Sequence, residues 1–143
     1  MEVKRGLYIV TLNNLEPIHV NAQDPRDQGR SITVNKDNCK FGKAKDFEKR
    51  KKNYNKTFGE ENVNFEPLVA LEEIDEVEKL VLDSLDEYRI RGRTGRKNEW
   101  LENIEIEDLI SIIFEVLDSK KIRYKKLKTL NSLYNNKNYD KNL

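Results

Sequence analysis

At 143 residues the chain is the size of one ordinary domain and can bury a core without disulfide or metal staples. Its 27 basic and 26 acidic side chains nearly cancel, so net charge points to no partner, and one cysteine with one histidine excludes an internal disulfide and any Cys/His zinc site. No run approaches the roughly 20 apolar residues of a membrane span, and the N-terminus lacks an apolar signal core, so a soluble protein of a reducing, cytoplasmic compartment is expected, with no membrane partner.

In chain order, Leu7 to Leu12 is a β-branched and aromatic run closed by Asn13-Asn14, which reads as a strand and a turn. Residues 13–31 are rich in Pro, Asn, Asp and Gln and read as a long loop, with a short strand at 17–20. Residues 31–34 and 38–43 read as strands around a turn at 35–37. Asp46 is placed to cap a helix running to about Tyr54, since its carboxylate can accept the free amides of the first turn. Residues 63–71 alternate as a further strand.

Asp75 with Glu78 three residues on fits a capping box, followed by a helix whose Val77, Val81, Leu85 and Tyr88 form one stripe. Residues 89–97 read as a basic loop with Gly92 and Gly95, Ile106 to about Ser119 as a core helix, and residues from Lys120 to Tyr134 as the start of another helix before a frayed end. This order predicts a mixed α/β or α+β domain, with a small, mainly antiparallel three-stranded sheet flanked by helices. It spans residues 1–119, and residues 120–143 form a Lys/Asn-rich helical extension and tail.

Charge is arranged in blocks. Residues 40–56 carry eight Lys or Arg against Asp46 and Glu48, residues 66–88 carry nine acids against Lys79, and residues 89–97 carry five bases and no acid. Such blocks suit a cationic groove beside an acidic patch, and equally suit solvated helices.

Gly6-Leu7-Tyr8, then Lys40-Phe41-Gly42, then the run Ala44-Lys45-Asp46-Phe47-Glu48-Lys49-Arg50 follow one another at a spacing that resembles the GIY-YIG endonuclease superfamily. In that family two short strand motifs form a hairpin, the next helix carries an essential arginine, and a later helix carries a metal-binding glutamate. Glu78 is similar to that glutamate, and Asn98-Glu99-Trp100 resembles a late motif of the phage-type subfamily. The resemblance covers residues 6–101 and implies a metal-dependent endonuclease that hydrolyses DNA phosphodiesters with Mg²⁺ or Mn²⁺. It implies Tyr8 acting on water, Arg50 on phosphate and Glu78 on the metal, with Glu76 the nearest rival ligand. Lys40 stands where the family has a tyrosine, so an ammonium takes that phenol's place. The connection between the two motifs is also longer than the family's usual turn, reading as a surface insertion or a recognition loop.

The chemistry of these residue types agrees with those roles. Mg²⁺ prefers oxygen ligands and keeps several waters, so one carboxylate can hold it. Arginine presents a forked pair of donors and stays charged. An unperturbed phenol near pKa ~10 is a poor base at neutral pH, so a nearby metal and Arg50 are expected to favour phenolate at Tyr8. Tyr54 lies one turn beyond Arg50 on the same helix face and is a second catalytic candidate. Lys43, Lys45, Arg91, Arg93 and Arg96 are candidates for contacts to the nucleic-acid backbone.

Two other readings use the same residues: a non-catalytic nucleic-acid-binding module with this fold, and a protein-interaction domain that touches neither DNA nor metal. No separate DNA-reading module is visible, so either low specificity is expected, or specificity delivered by a partner protein or a homodimer.

Overall fold

The computed structural model describes residues 4–20, 32–92, 95 and 97–127. Strand β1 (Gly6–Leu12) lies at the centre of the main sheet because its residues are apolar on both faces. Leu7 and Ile9 join one hydrophobic cluster, while Tyr8, Val10 and Leu12 join another on the opposite side. Alternate side chains of a strand point to opposite faces, so a strand buried on both sides reads as a continuous apolar run.

Two antiparallel neighbours flank it. Strand β4 (Cys39–Ala44) pairs with β1 in a register that sets Tyr8 opposite Gly42. Strand β5 (Val63–Ala70) pairs on the other side, with a register shift at Leu7/Tyr8 where Tyr8 meets Pro67, a residue with no amide hydrogen to give. Strand β2 (Ile18–Val20) and strand β3 (Ile32–Val34) form a separate two-stranded ribbon within the β1–β4 connection.

Helix α1 (Phe47–Phe58) covers one face of the sheet through Phe47, Tyr54 and Phe58. Its start is as expected: Asp46 Oδ1 accepts from the amides of Glu48 at 3.0 Å and Lys49 at 3.4 Å. Helix α2 (Ile74–Ser84) and helix α3 (Ile106–Ser119) cover the other face through Ile74, Val77, Val81, Leu109, Ile110, Ile113 and Leu117.

Three expectations are corrected. Among the described residues the sheet has six strands, in the order β6-β7-β4-β1-β5-β8, and not three. β1 lies between β4 and β5, strand β6 (Arg89–Arg91) and the first residue of strand β7 (Lys97–Leu101) fall in what reads as a basic loop, and strand β8 (Lys125–Lys126) pairs with β5. Edge strands are short and tolerate charge, which hides them from an apolar pattern. Next, α2 begins at Ile74 after Glu73, with no side-chain cap, so Asp75 and Glu78 form no capping box. Finally, the expected helical start from Lys120 is absent through residue 127: the chain turns at Lys121, with φ 53°, and runs into β8. Among the described residues no helix is long and apolar enough to cross a membrane.

Candidate active site

A glycine in β4 makes room for a phenol from β1. A Cβ at Gly42 would stand 2.4 Å from the Tyr8 hydroxyl oxygen and 2.5 Å from its Cζ, closer than atoms approach without something moving. Tyr8 therefore lies across the backbone of its partner strand, stacked on Phe65 at 4.6 Å between ring centroids. Its hydroxyl shares a 2.7 Å hydrogen bond with the hydroxyl of Tyr54, which α1 brings in edge-on. Sequence distance separates the two by 46 residues, and the sheet and helix together close it.

Tyr54 opens onto a cleft of about 240 Å³. Arg50, Asn53 and Thr57 line it from α1, and Lys40, Glu99 and Trp100 line it from the sheet. Tyr8, 2% exposed, lies beneath Tyr54 and not on the cleft wall. Lys40 reaches into the cleft with its ammonium 5.1 Å from the centre of the Tyr54 ring and 3.2 Å from Glu99 Oε2. Arg50 and Asn53 also line a second, more basic groove with Lys43, Lys45 and Lys49, so the two depressions adjoin along one side of α1.

Glu78 comes from α2, across the sheet from α1. Among the described residues β7 covers β4 only at Cys39 and Lys40, with no strand on the outer edge of β4 beyond Lys40, and Glu78 meets Lys43 beside that edge. Lys43 Nζ lies 3.5 Å from Glu78 Oε1 and 2.5 Å from Asp75 Oδ1. Burial pushes the Glu78 carboxyl above its ordinary value, the nearby Glu99 adds to this, and Lys43 and Lys40 oppose it. A carboxylate disfavoured by burial and by a second carboxylate, and balanced only by lysines, suits a hard dication with oxygen ligands. Among the described residues no group of three or more His, Cys, Asp or Glu gathers. A metal ion at Glu78 would therefore take most of its ligands from water and phosphate.

The chain's own groups oppose a phenolate at Tyr8, which leaves that expectation to a bound metal ion. Burial drives the Tyr8 phenol well above the ordinary range, Tyr54 adds to this, and Lys40 and Arg50 offset only part of it. Tyr54 is raised chiefly by burial as well, with its hydrogen bond from Tyr8 and the charge of Arg50 opposing and Glu99 and Glu78 reinforcing. Burial thus favours the neutral form of both phenols, which share one hydrogen bond. Charges on Arg50 bear on both phenols, and those on Glu78 and Glu99 bear on Tyr54, so the expected residues share one electrostatic neighbourhood.

Stability should therefore fall in alkali. Cys39, pushed up to about 12 by burial and by Glu105, joins the two phenols in holding its proton more tightly folded than unfolded. That stabilisation is complete below the ordinary values of 9.0 for the thiol and 10.0 for the phenols, and is lost as pH climbs above them. Urea unfolding at pH 8, 9, 10 and 11 should show a steepening loss, approaching about 1.4 kcal/mol per pH unit for each group. Tyr54→Phe should flatten the curve; equal slopes with and without Tyr54 would contradict the shift.

The expected backbone-contact residues are distributed unevenly. Lys45 lies in the basic groove, whereas the Lys43 ammonium is taken up by Asp75 and Glu78. Arg91 lies on the edge strand β6, donating to the Gly95 carbonyl at 3.4 Å, and Arg93 and Arg96 fall outside the described residues. Asn53 and Thr57 were not anticipated as cleft residues. Their spacing of three and seven from Arg50 was the signal, since it places all three on one helix face.

The T5orf172 domain, a phage-type nuclease-associated domain, matches residues 18–117, more than half of the chain. The match takes in Lys40, Arg50, Tyr54, Glu78 and Glu99 and begins after β1, so Tyr8 lies outside it. No curated protein and no solved structure matches the chain.

Proposed function

We propose, from the premise that this chain belongs to the T5orf172 domain family, that it is a metal-dependent endonuclease of the GIY-YIG type, acting on DNA phosphodiesters. The observation that carries this reading is the β1–β4 hairpin, in which Gly42 of the second strand makes space for the Tyr8 phenol of the first. A glycine inside a strand costs backbone entropy, and here the space it leaves is filled by a phenol whose hydroxyl is held at that of Tyr54. That arrangement makes sense where the hydroxyl supports a reacting group above it.

In this reading the polyanionic backbone lies along α1. Arg50, exposed and on the wall between the two depressions, grips a non-bridging pair of phosphate oxygens with its forked donors. Tyr54 donates a hydrogen bond toward the reacting phosphate or its water, and Tyr8 fixes the orientation of that hydroxyl from below. Lys40 places a second positive charge where negative charge grows during attack. Glu78 would hold Mg²⁺ or Mn²⁺, which when bound supplies a water of lowered pKa and charge stabilisation on the phosphate. Lys45 and Lys49 extend the cationic track beyond the cleft. Specificity would come from a partner protein or from dimerisation, and the site of action would be cytoplasmic.

Supercoiled plasmid should be nicked with Mg²⁺ or Mn²⁺ and left intact with EDTA, and Glu78→Ala should lower nicking at least about 100-fold at equal protein folding. A second reading, a binding module without catalysis, draws on Lys40 standing in the place of the second tyrosine. It predicts salt-sensitive DNA binding with no metal-dependent product, so EDTA-insensitive plasmid in every arm would favour it and discard the nuclease.

A further inference from the structure

Lys40 is a flexible side chain in a place that the resemblance gives to a rigid phenol. An ammonium on a four-carbon stem has many rotamers, and holding it at one point requires contacts on more than one side. Two contacts do this here. The Tyr54 ring offers its face, with the ammonium 5.1 Å from the centroid, and Glu99 accepts the ammonium at 3.2 Å. The Lys40 side chain is only 16% exposed, against 39% for Glu99. The carboxylate thus closes the cleft side of a nearly buried cation.

Strand β7 is shaped to present that carboxylate. It pairs with β4 at Lys40↔Trp100 and Cys39↔Leu101, which brings Glu99 next to Lys40. Trp100 is buried against Phe58 of α1 at 5.5 Å and anchors the strand. The side chain of Asn98 folds back so that its Oδ1 accepts from the amides of Glu99 at 2.7 Å and Trp100 at 3.2 Å. Arg89 in turn donates from Nε to the Asn98 carbonyl at 2.8 Å. The backbone on either side of Glu99 is therefore fixed by an anchor, a side-chain cap and a strap from β6.

We propose that Glu99 is a positioning residue, holding the Lys40 ammonium over the Tyr54 ring so that a lysine serves where a second tyrosine would otherwise stand. The proposal rests on the functional reading above for its kinetic consequence, while its structural core is independent of that reading. Glu99 is itself an anion facing an anionic substrate, so it does not help binding directly; its contribution comes through the cation that it holds.

That difference gives a distinctive signature. Glu99→Gln should lower kcat for plasmid nicking about tenfold without raising KM, because it frees Lys40 and removes a repulsive charge. Glu99→Asp should recover part of the loss. On a Lys40→Met background, Glu99→Gln should change kcat less than twofold, since the residue it acts through is gone. In the free protein, the Lys40 15Nζ ammonium resonance should be observable by NMR and should vanish into solvent exchange in Glu99→Gln, but persist in Glu78→Gln. An unchanged ammonium resonance in Glu99→Gln, or losses that multiply on the Lys40→Met background, would overturn the proposal. If wild-type protein cuts no DNA while the resonance still depends on Glu99, the positioning stands and the nuclease reading falls.

Discussion

Arg50→Ala should reduce plasmid nicking by roughly 10²- to 10³-fold, the range seen when one charge-stabilising donor is removed from a reaction centre. The side chain is exposed on α1 and makes no ion pair among the described residues, so its loss should leave stability nearly unchanged. Alanine is also the better helix former. Arg50→Lys keeps the charge but loses the planar fork, so it should recover only part of the rate. The position depends on the helix start, where Asp46 accepts from two amides. Thermal melting beside the nicking assay separates the two effects. Arg50→Ala that melts like wild type and cuts like wild type would remove the arginine from the mechanism.

The largest stability effects should come from two glycines, and they should differ in whether a second change can relieve them. A Cβ at Gly6 would stand 1.9 Å from the Val69 carbonyl oxygen, which is backbone of the paired strand and cannot move aside. Gly6→Ala should therefore force β1 and β5 apart and cost about 3 kcal/mol or more. At Gly42 the obstacle is the Tyr8 ring, itself held by Phe65 and by the hydroxyl of Tyr54. Gly42→Ala should cost about 1–3 kcal/mol by displacing that ring. Combined with Tyr8→Ala, it should cost much less than the sum of the two single changes, because the clash is gone. Urea unfolding of the four proteins measures this coupling. Strict additivity would mean that Gly42 does not serve to seat the phenol.

These particular residues also show how far the sequence alone reaches. The centre of the sheet, α1 with its Asp46 cap and the whole of α3 follow from local signals: an apolar run, a capping side chain, a helical stripe. The outer strands do not, since β6 and its neighbour β7 carry Arg89, Arg91 and Lys97 among their few residues and β8 is two lysines. Glu78 is an instructive case. Its spacing from Asp75 fits a cap, yet both carboxylates turn to Lys43, and only the packing of α2 beside β4 decides between the two. Resemblance brought Tyr8, Lys40, Arg50, Tyr54 and Glu78 forward, and the fold sets the first four around one cleft, with Tyr8 beneath its wall. That burial raises both phenols was not legible, because burial is a property of the closed sheet and not of a motif. Nor was the grip of Glu99 on Lys40, which needs the β4–β7 register.

The central place of β1 has a bearing on synthesis. Its phenol is made before the hydroxyl it meets, which comes 46 residues later, and the strand that closes its other side comes later still. An emerging polypeptide holds neither the hydroxyl pair nor its cavity until all three segments have left the ribosome and come together. A chain interrupted before β5 would thus lack the seated phenol, whatever motifs it already carried.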